Sequence, residues 1–193
     1  DLTDSQTFTL TVVPVNDPPT IDGVSDQQMD EDTVLEVALF GDDIDVDDVL
    51  TFSVDDTDNA TVSVDGNILT VVPDENYNVS IDGLLFITVS VDDISLESAS
   101  TSFEVTVNPV NDAPVLDVIA DQNIDEDTSL SLPLSAQDVD EGDVLTYSAG
   151  VTGNATVDVS GDQLTVAPDS NFNGDIQVTV LVSDGDLTDS QTF

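Results

Sequence analysis

The stretch ATVSVDGNILTVV, residues 60–72, alternates apolar and polar side chains on both sides of a short turn. Such alternation directs one face of each run towards a core and the other towards water, which is typical of β-strands. The Asp-Gly-Asn segment at 65–67 has the composition of a tight hairpin turn. The stretch therefore predicts a β-hairpin.

Similar short runs precede and follow this hairpin. They are IDGVSDQQM (21–29), VLEVALF (34–40), LTFSV (50–54), LLFITVSV (84–91) and STSFEVTV (100–107). Together with the hairpin they give about seven strands, and no window shows sustained helical periodicity. We therefore predict an all-β fold built on a seven-stranded antiparallel β-sandwich.

The same signals occur twice along the chain at a constant spacing. DEDT (30–33), NATV (59–62) and PDENYN (73–78) return 95 residues later as DEDT (125–128), NATV (154–157) and PDSNFN (168–173). DLTDSQTF also stands both at 1–8 and at 186–193. We interpret residues 1–16 as the last strand of a preceding repeat plus a linker, 17–110 as repeat 1, and 111–193 as repeat 2, truncated in its last strand. The segment is expected to come from a longer array.

The composition restricts the possible functions. The chain has 42 Asp and Glu residues and no Lys, Arg, His or Cys, so its formal net charge is −42. Without basic side chains it is not expected to bind nucleic acid or an anionic membrane, and no apolar run is long enough to span a bilayer. Catalytic triads, Schiff bases and nitrogen- or sulfur-ligated zinc are excluded. We predict that it is not an enzyme, with a carboxylate-only hydrolase as the remaining alternative.

The acidic residues are concentrated in loops. GDDIDVDD (41–48) and AQDVDEGD (136–143) each contain a D-x-D pair, Asp43/Asp45 and Asp138/Asp140. In extended backbone, two such side chains lie on one face about 6.7 Å apart, and their charges repel by about 2.5 kcal/mol at an effective dielectric of 20. Oxygen ligands without nitrogen or sulfur favour Ca²⁺, which takes six to eight of them. We therefore predict calcium sites to which several loops contribute.

A linker motif recurs in register with these loops, as VNDPP at 15–19 and VNDAP at 110–114. Together with LSAQDVDEGDVLTYSAG (134–150) and LVSDG (181–185), it resembles the A-x-D-x-D, A-x-D-G and N-D-x-x-P pattern of cadherins. The EDT, NFNG and VNDAPV signatures, at a period near 95, more closely resemble the bacterial cadherin-like tandem repeats of giant secreted surface adhesins.

The cadherin resemblance implies calcium at the joints between repeats. The implied ligands of the joint at 14–19 are Asn16, Asp17, Asp43, Asp45 and Asp93. Those of the joint at 108–114 are Glu31, Asn111, Asp112, Asp138, Asp140 and Asp184.

The function that these features favour is a calcium-rigidified extender, or stalk repeat, of a large extracellular adhesin or surface fibre on a bacterial cell. Its partners are expected to be neighbouring repeats of the same polypeptide. One alternative is a calcium-assisted module that recognises carbohydrate or a like module on another cell. Another is a filament subunit assembled head-to-tail, because the first strand of the chain matches the strand half that repeat 2 lacks.

Overall fold

The computed structural model describes residues 2–45, 47–80 and 83–193. Asp1 of the predicted segment 1–16 lies outside these ranges, as do Val46, Ile81 and Asp82 of the predicted repeat 1. The chain forms two compact units. Unit 1 runs from Asp1 to Val110, and unit 2 runs from Asn111 to Phe193. The described residues form strands and turns without a helix, which confirms the predicted all-β fold class.

Unit 1 consists of two β-sheets and a separate short ladder of two strands. Its strands are β1 (Thr20–Ile21), β2 (Gln27–Asp30), β3 (Leu35–Ala38), β4 (Gly41–Asp42), β5 (Thr51–Val54), β6 (Ala60–Asp65), β7 (Ile68–Pro73), β8 (Leu85–Asp92) and β9 (Ser98–Asn108). One sheet has the order β2-β9-β8-β5 and the other β3-β7-β6, while β1 pairs with β4. The predicted hairpin is β6–β7, in which Val62 pairs with Val71.

The turn of this hairpin needs a glycine. Gly66 has a φ of 62°, in the left-handed region that glycine adopts without steric strain. The matching hairpin of unit 2 has Gly161 at a φ of 63°. The short turn fixes the register, so the alternating Val and Leu side chains all face the same side.

One strand pair has a direction that alternation did not predict. β2 runs parallel to β9, with Gln27 beside Val105 and Met29 beside Val107. The remaining ladders of the described residues are antiparallel, as predicted. Alternation tells which side chains face the core, but it carries no information on strand direction.

The core of unit 1 lies between its two sheets. Alternate side chains of β8 and β9 are buried against Leu69 and Val71 of β7. Ile87, Val89 and Val105 are fully inaccessible to solvent. Burial of a Val or Ile side chain contributes about 1.5–3 kcal/mol, so β8 and β9 form the framework that holds the loops at their ends.

Unit 2 repeats this arrangement. Its strands are β10 (Val115–Leu116), β11 (Leu130–Pro133), β12 (Ala136–Gln137), β13 (Thr146–Val151), β14 (Ala155–Ser160), β15 (Gln163–Pro168), β16 (Val178–Ser183) and β17 (Thr188–Thr192). They form the sheets β13-β16-β17 and β11-β15-β14 and the ladder β10-β12. Val180, Val182 and Leu164 are at the centre of its core.

Two segments differ from their counterparts in unit 1. Residues 122–125, which match β2, form no strand. Residues 2–19 also form no strand, and their apolar side chains Phe8, Leu10 and Val12 are at least 78% exposed. The interpretation of residues 1–16 as the last strand of a preceding repeat stays a prediction.

Candidate metal centres

The first centre begins in the loop between β4 and β5 of unit 1. The N–H of Asp45 donates to Oδ1 of Asp43 at 2.9 Å, and the N–H of Asp48 donates to the carbonyl of Asp45 at 3.0 Å. An aspartate that accepts a hydrogen bond from the backbone two residues on forms a compact turn. The loop therefore curls, and its carboxylates gather on one side.

A fourth carboxylate enters from the turn after β8. Asp93 directly follows that strand and is only 4% exposed. Its Oδ1 accepts the N–H of Glu97 at 2.9 Å, and its carbonyl accepts the N–H of Leu96. Because β8 is anchored in the core, the position of Asp93 is set by the framework of unit 1.

Three of these side chains converge. Asp43, Asp48 and Asp93 each offer one oxygen, and the three oxygens lie within 4.8 Å of one another. Among the described residues, Oδ2 of Asp43 and Oδ2 of Asp48 are buried without a hydrogen-bond partner. The chain contains no Lys, Arg or His that could neutralise them. A buried, unpaired carboxylate oxygen is costly, so this group is suited to a cation.

Burial and neighbouring negative charge shift one carboxyl group of this centre away from ionisation. Burial raises the pKa of Asp48 above its ordinary value, and repulsion from Asp43, Asp93, Asp45 and Asp47 raises it further. These are the two effects that disfavour a carboxylate that lacks a positive partner. A bound cation would reverse both.

The linker before β1 is attached to this centre by two hydrogen bonds. The N–H of Asp17 donates to Oδ2 of Asp45 at 2.8 Å, and Nδ2 of Asn16 donates to Oδ2 of Asp93 at 2.8 Å. Oδ1 of Asn16 in turn accepts the hydroxyl of Ser95 at 3.0 Å. The bond from Asn16 is the largest cause of the lowered pKa of Asp93. The hydrogen bond from the linker therefore stabilises the ionised form of Asp93.

Unit 2 builds the same loop from its own residues. The N–H of Asp140 donates to Oδ1 of Asp138 at 3.1 Å. Oxygens of Asp138, Asp140 and Asp143 lie within 4.8 Å of one another, and Oδ2 of Asp138 is buried without a partner among the described residues. Burial and the neighbouring carboxylates Asp138 and Asp140 raise the pKa of Asp143.

The second linker makes the same attachments. The N–H of Asp112 donates to Oδ2 of Asp140 at 2.7 Å, and Nδ2 of Asn111 donates to Oδ2 of Asp184 at 2.9 Å. The hydrogen bond from Asn111 is again the largest cause of a lowered pKa, here that of Asp184. Backbone N–H groups of Asp186 and Leu187 hold the other oxygen of Asp184.

Glu31 directly follows β2 in unit 1. It is 1% exposed, and its Oε1 accepts the N–H of Val110 at 2.7 Å. Nδ2 of Asn78 approaches both of its carboxylate oxygens, at 3.4 and 3.3 Å. A buried glutamate held only by neutral donors is unusual. Its predicted role as a calcium ligand stays a prediction.

The structure therefore gathers predicted residues into two groups, one within each unit. Asn16, Asp17, Asp43, Asp45 and Asp93 gather in unit 1, and Asn111, Asp112, Asp138, Asp140 and Asp184 gather in unit 2. Both groups present only carboxylate and amide side chains, which is the ligand set of a hard cation such as Ca²⁺.

Sequence reasoning missed Asp48 and Asp143, which join these groups. They occupy matching positions 95 residues apart, five residues after the first Asp of each D-x-D pair. That recurrence was the available signal. Sequence reasoning also missed Asn78, because the contact of Asn78 with Glu31 spans 47 residues of sequence.

Solved structures with a similar fold include cadherins. The chain aligns with the human desmocollin-1 ectodomain at 16% identity and a TM-score of 0.59, covering 92% of this chain and 40% of that one. It aligns with Drosophila N-cadherin EC1-4 at 17% identity and a TM-score of 0.53, covering 92% and 48%. The chain thus spans less than half of either structure. At this identity the likeness shows the fold alone.

No curated protein matches the sequence. No helix in the described residues has the length and apolar composition needed to cross a membrane. A family profile described as bacterial Ig domain matches residues 16–108 and again residues 111–193. These two matches cover nearly the whole chain and confirm the predicted tandem Ig-like and cadherin-like repeats. The chain belongs to the bacterial Ig domain family, of which it carries two tandem copies.

Proposed function

We propose that this chain is a calcium-binding extender segment of a large extracellular adhesin or surface fibre of a bacterium. The observation that carries the proposal is the attachment of each linker to a group of converging carboxylates. In unit 1 the linker N–H of Asp17 binds Asp45, and in unit 2 that of Asp112 binds Asp140. A cation in either group would draw the linker and the loops together.

The ligands that we propose for unit 1 are Asp43, Asp45, Asp48 and Asp93, with Asn16 and Asp17 from the linker. Those for unit 2 are Asp138, Asp140, Asp143 and Asp184, with Asn111 and Asp112. Ca²⁺ takes six to eight oxygen ligands and tolerates irregular geometry, whereas Mg²⁺ demands a near-ideal octahedron. We further propose, from the cadherin resemblance, that Glu31 is a calcium ligand.

Calcium would stabilise the fold chiefly by removing repulsion. In its absence, the acidic loops carry close negative charges with no basic residue nearby. At about 10 mM free calcium and a dissociation constant of about 10⁻⁴ M, each site would add roughly 2.7 kcal/mol to the free energy of unfolding. Free calcium is high outside cells, which fits the proposed extracellular location.

A structural role is favoured over catalysis or recognition because both linkers repeat the same attachments. Asn16 and Asn111 each fix the aspartate after β8 or β16, so identical contacts serve two positions in the chain. Repetition of a contact suits a spacer, whose property is its length and stiffness. We therefore propose that the chain is not an enzyme, and that its partners are neighbouring repeats.

Calorimetric titration of the metal-stripped chain with Ca²⁺ and with Mg²⁺ tests this function. We expect calcium to bind and magnesium to bind at least about tenfold more weakly. Small-angle scattering should show a larger maximum dimension in calcium than in chelator. The proposal is wrong if neither ion binds or if both bind equally. Binding with unchanged scattering would remove the stiffening role.

A further inference from the structure

Three triplets of the form Asn-x-Ser/Thr occur in the chain. NAT stands at 59–61 and again, 95 residues later, at 154–156, while NVS stands at 78–80. A triplet of this form, with a middle residue other than proline, is the acceptor sequence for attachment of a sugar to the Asn side chain at a protein surface. Sequence alone does not distinguish the three triplets, but the structure does.

The asparagines of the two NAT triplets lie at the surface in matching positions. Asn59 directly precedes β6 and Asn154 directly precedes β14, and both residues are exposed. The carbonyl of Asn59 accepts the N–H of Asp74 at 2.9 Å, and that of Asn154 accepts the N–H of Asp169 at 2.8 Å. These bonds fix the backbone of each asparagine in the same way in both units and leave the side-chain amide free to react.

The threonine of each NAT triplet is also open to solvent. Thr61 and Thr156 are exposed, whereas Ala60 and Ala155 before them are half-buried against the cores of their units. Successive side chains of a strand point to opposite faces, so burial of the alanine turns the threonine outwards. An enzyme that approaches from solvent therefore meets both the amide and the hydroxyl group of the triplet in the folded unit.

The asparagine of the third triplet is enclosed by unit 1. Asn78 is 3% exposed, and its Nδ2 lies 3.4 and 3.3 Å from the two carboxylate oxygens of Glu31. Its Oδ1 accepts the N–H of Ser80 at 3.1 Å. A sugar on Nδ2 would have to displace this side chain from the interior, so the folded unit requires Asn78 to be unmodified.

The conformation of the turns accounts for the asparagines but does not itself produce the triplets. Asn59 and Asn154 have φ values of 68° and 60°, in the left-handed region that asparagine adopts more readily than most residues. Asn76 and Asn171 have the same conformation, with φ values of 60° and 59°, and neither has Ser or Thr two residues later. The left-handed turn therefore occurs in this chain without the acceptor sequence.

We propose that Asn59 and Asn154 are sites of N-glycosylation and that Asn78 is not. The co-reactant is a sugar activated at its anomeric carbon by a diphosphate, and a separate transferase carries out the reaction. Nδ2 of the asparagine forms a bond to the anomeric carbon, and the bond from that carbon to the diphosphate oxygen breaks. The diphosphate leaves with the bonding electrons, and Nδ2 gives one proton to a base of the transferase.

The inference goes beyond the extender function and does not depend on calcium. Each unit carries one acceptor at the same place, so every such repeat of an array presents its sugar in the same way. The acceptor triplets lie outside the groups of converging carboxylates, which use other loops of each unit. Modification and metal binding can therefore be measured separately on the same chain.

The test is peptide mapping by mass spectrometry of the protein exported by the cells that produce it. The chain has no Lys or Arg for trypsin, so a protease that cleaves after Glu is used. Complete cleavage gives fragments 37–75, 76–97 and 142–193, each of which contains one of the three triplets. We expect the first and third fragments to carry added sugar mass and the second to carry none.

Two double variants test the role of the threonines. Thr61→Val with Thr156→Val replaces each hydroxyl by a methyl group and leaves both asparagines in place. Valine is favoured in strands, so the fold should be kept, and we expect complete loss of the sugar from both fragments. Thr61→Ser with Thr156→Ser retains the hydroxyls and should retain the sugar. Ser80→Ala, in the enclosed triplet, should change neither fragment.

Transfer to the purified, unmodified chain identifies the donor. A sugar nucleotide is supplied with the soluble fraction of the same cells, and a lipid-diphosphate-linked sugar with their membrane fraction. The proposal is overturned if the exported protein lacks sugar at both asparagines, if neither donor is used, if the valine variant is modified like the wild type, or if fragment 76–97 of the folded protein carries sugar. Transfer is run in calcium and in chelator, so a failure of calcium binding is scored separately from a failure of modification.

Discussion

Oδ2 of Asp45 accepts the backbone N–H of Asp17 at 2.8 Å across 28 residues of sequence. The hydrogen bond connects the linker before β1 to the loop that gathers the acidic groups of unit 1. A carboxylate has about four lone-pair positions, so Asp45 can hold the linker and still face a cation. Substitutions in this group are therefore expected to change both the stability of the fold and the affinity for calcium.

Asp48 is expected to be a calcium ligand that destabilises the metal-free fold. Asp48→Asn should weaken calcium binding to unit 1 by at least about tenfold and should raise the melting temperature in chelator, because it removes a repelled carboxylate. Asp47→Asn makes the same charge change on an exposed neighbour. Titration calorimetry and thermal melts check both, and equal effects of the two variants would contradict the assignment.

The stability of the metal-free chain should rise with pH below about pH 4 and fall with pH above it. The pKa values of Asp48 and Asp143 are raised from 3.8 in the folded state, so stability is lost as the pH rises from about 3.8 through these raised values. Those of Asp93 and Asp184 are lowered, so their stabilising effect is lost as the pH falls below 3.8.

The melting temperature of the metal-free chain should therefore have a maximum near pH 4. With calcium bound, acidification from neutral pH should only lower it, because protons displace the ion. Melts from pH 3 to pH 7, with and without calcium, give both profiles. Asp48→Asn with Asp143→Asn should flatten the metal-free profile above pH 4, and identical profiles in the two conditions would refute the proposed sites.

Asn111 is expected to act by orienting Asp184. Asn111→Ala removes the main cause of the lowered pKa, so the pKa of Asp184 should rise towards its ordinary value. Calcium binding to unit 2 should weaken by about tenfold, while unit 1 keeps its affinity. NMR titration of the Asp184 carboxyl group provides the readout. Asn16→Ala is the matched variant, which should instead affect Asp93 and unit 1.

Removal of the Glu31 charge should stabilise unit 1 when metal is absent. Glu31→Gln keeps an oxygen that can accept the Val110 N–H, but it removes a carboxyl group that is 1% exposed. Glu31→Ala leaves that N–H without its acceptor and should cost about 1–3 kcal/mol. Urea unfolding in chelator separates the two. If Gln and Ala destabilise equally, the hydrogen bond to Val110 does not contribute.

Packing of β8 should dominate the stability of unit 1. Ile87 is fully buried, so Ile87→Ala should reduce the free energy of unfolding by about 2–5 kcal/mol. Ile94 has the same side chain but is 64% exposed, and Ile94→Ala should change it by less than about 0.5 kcal/mol. Urea unfolding checks the pair. Calcium binding to unit 2 should be unaffected by either change.

The strands and most of the acidic groups could be predicted from sequence because their signals are local. The alternation in residues 60–72 predicted β6 and β7, and the D-x-D pairs predicted Asp43/Asp45 and Asp138/Asp140. The loops and the linkers both recur at the same offset of 95 residues, which indicated that each loop belongs with one linker. Local spacing was sufficient, since these side chains are placed by short stretches of backbone.

The remaining features depend on contacts between distant residues. Alternation could not show that β2 is parallel to β9, because a strand shows the same pattern in either direction. Nor could it show that Asp48 turns back to the carbonyl of Asp45 and joins Asp93, which follows it by 45 residues. The same holds for Asn78, whose partner Glu31 lies on another element.

The linker hydrogen bonds also bear on how such a chain can evolve. Asn16 and Asp17 bind loops that follow them in unit 1, and Asn111 and Asp112 bind loops that follow them in unit 2. Each linker is therefore inherited together with the loops that recognise it. In-register recombination between repeats, at the offset of 95 residues, would leave every such set of contacts intact. Gene duplication and unequal crossing-over can then change repeat number without compensating substitutions.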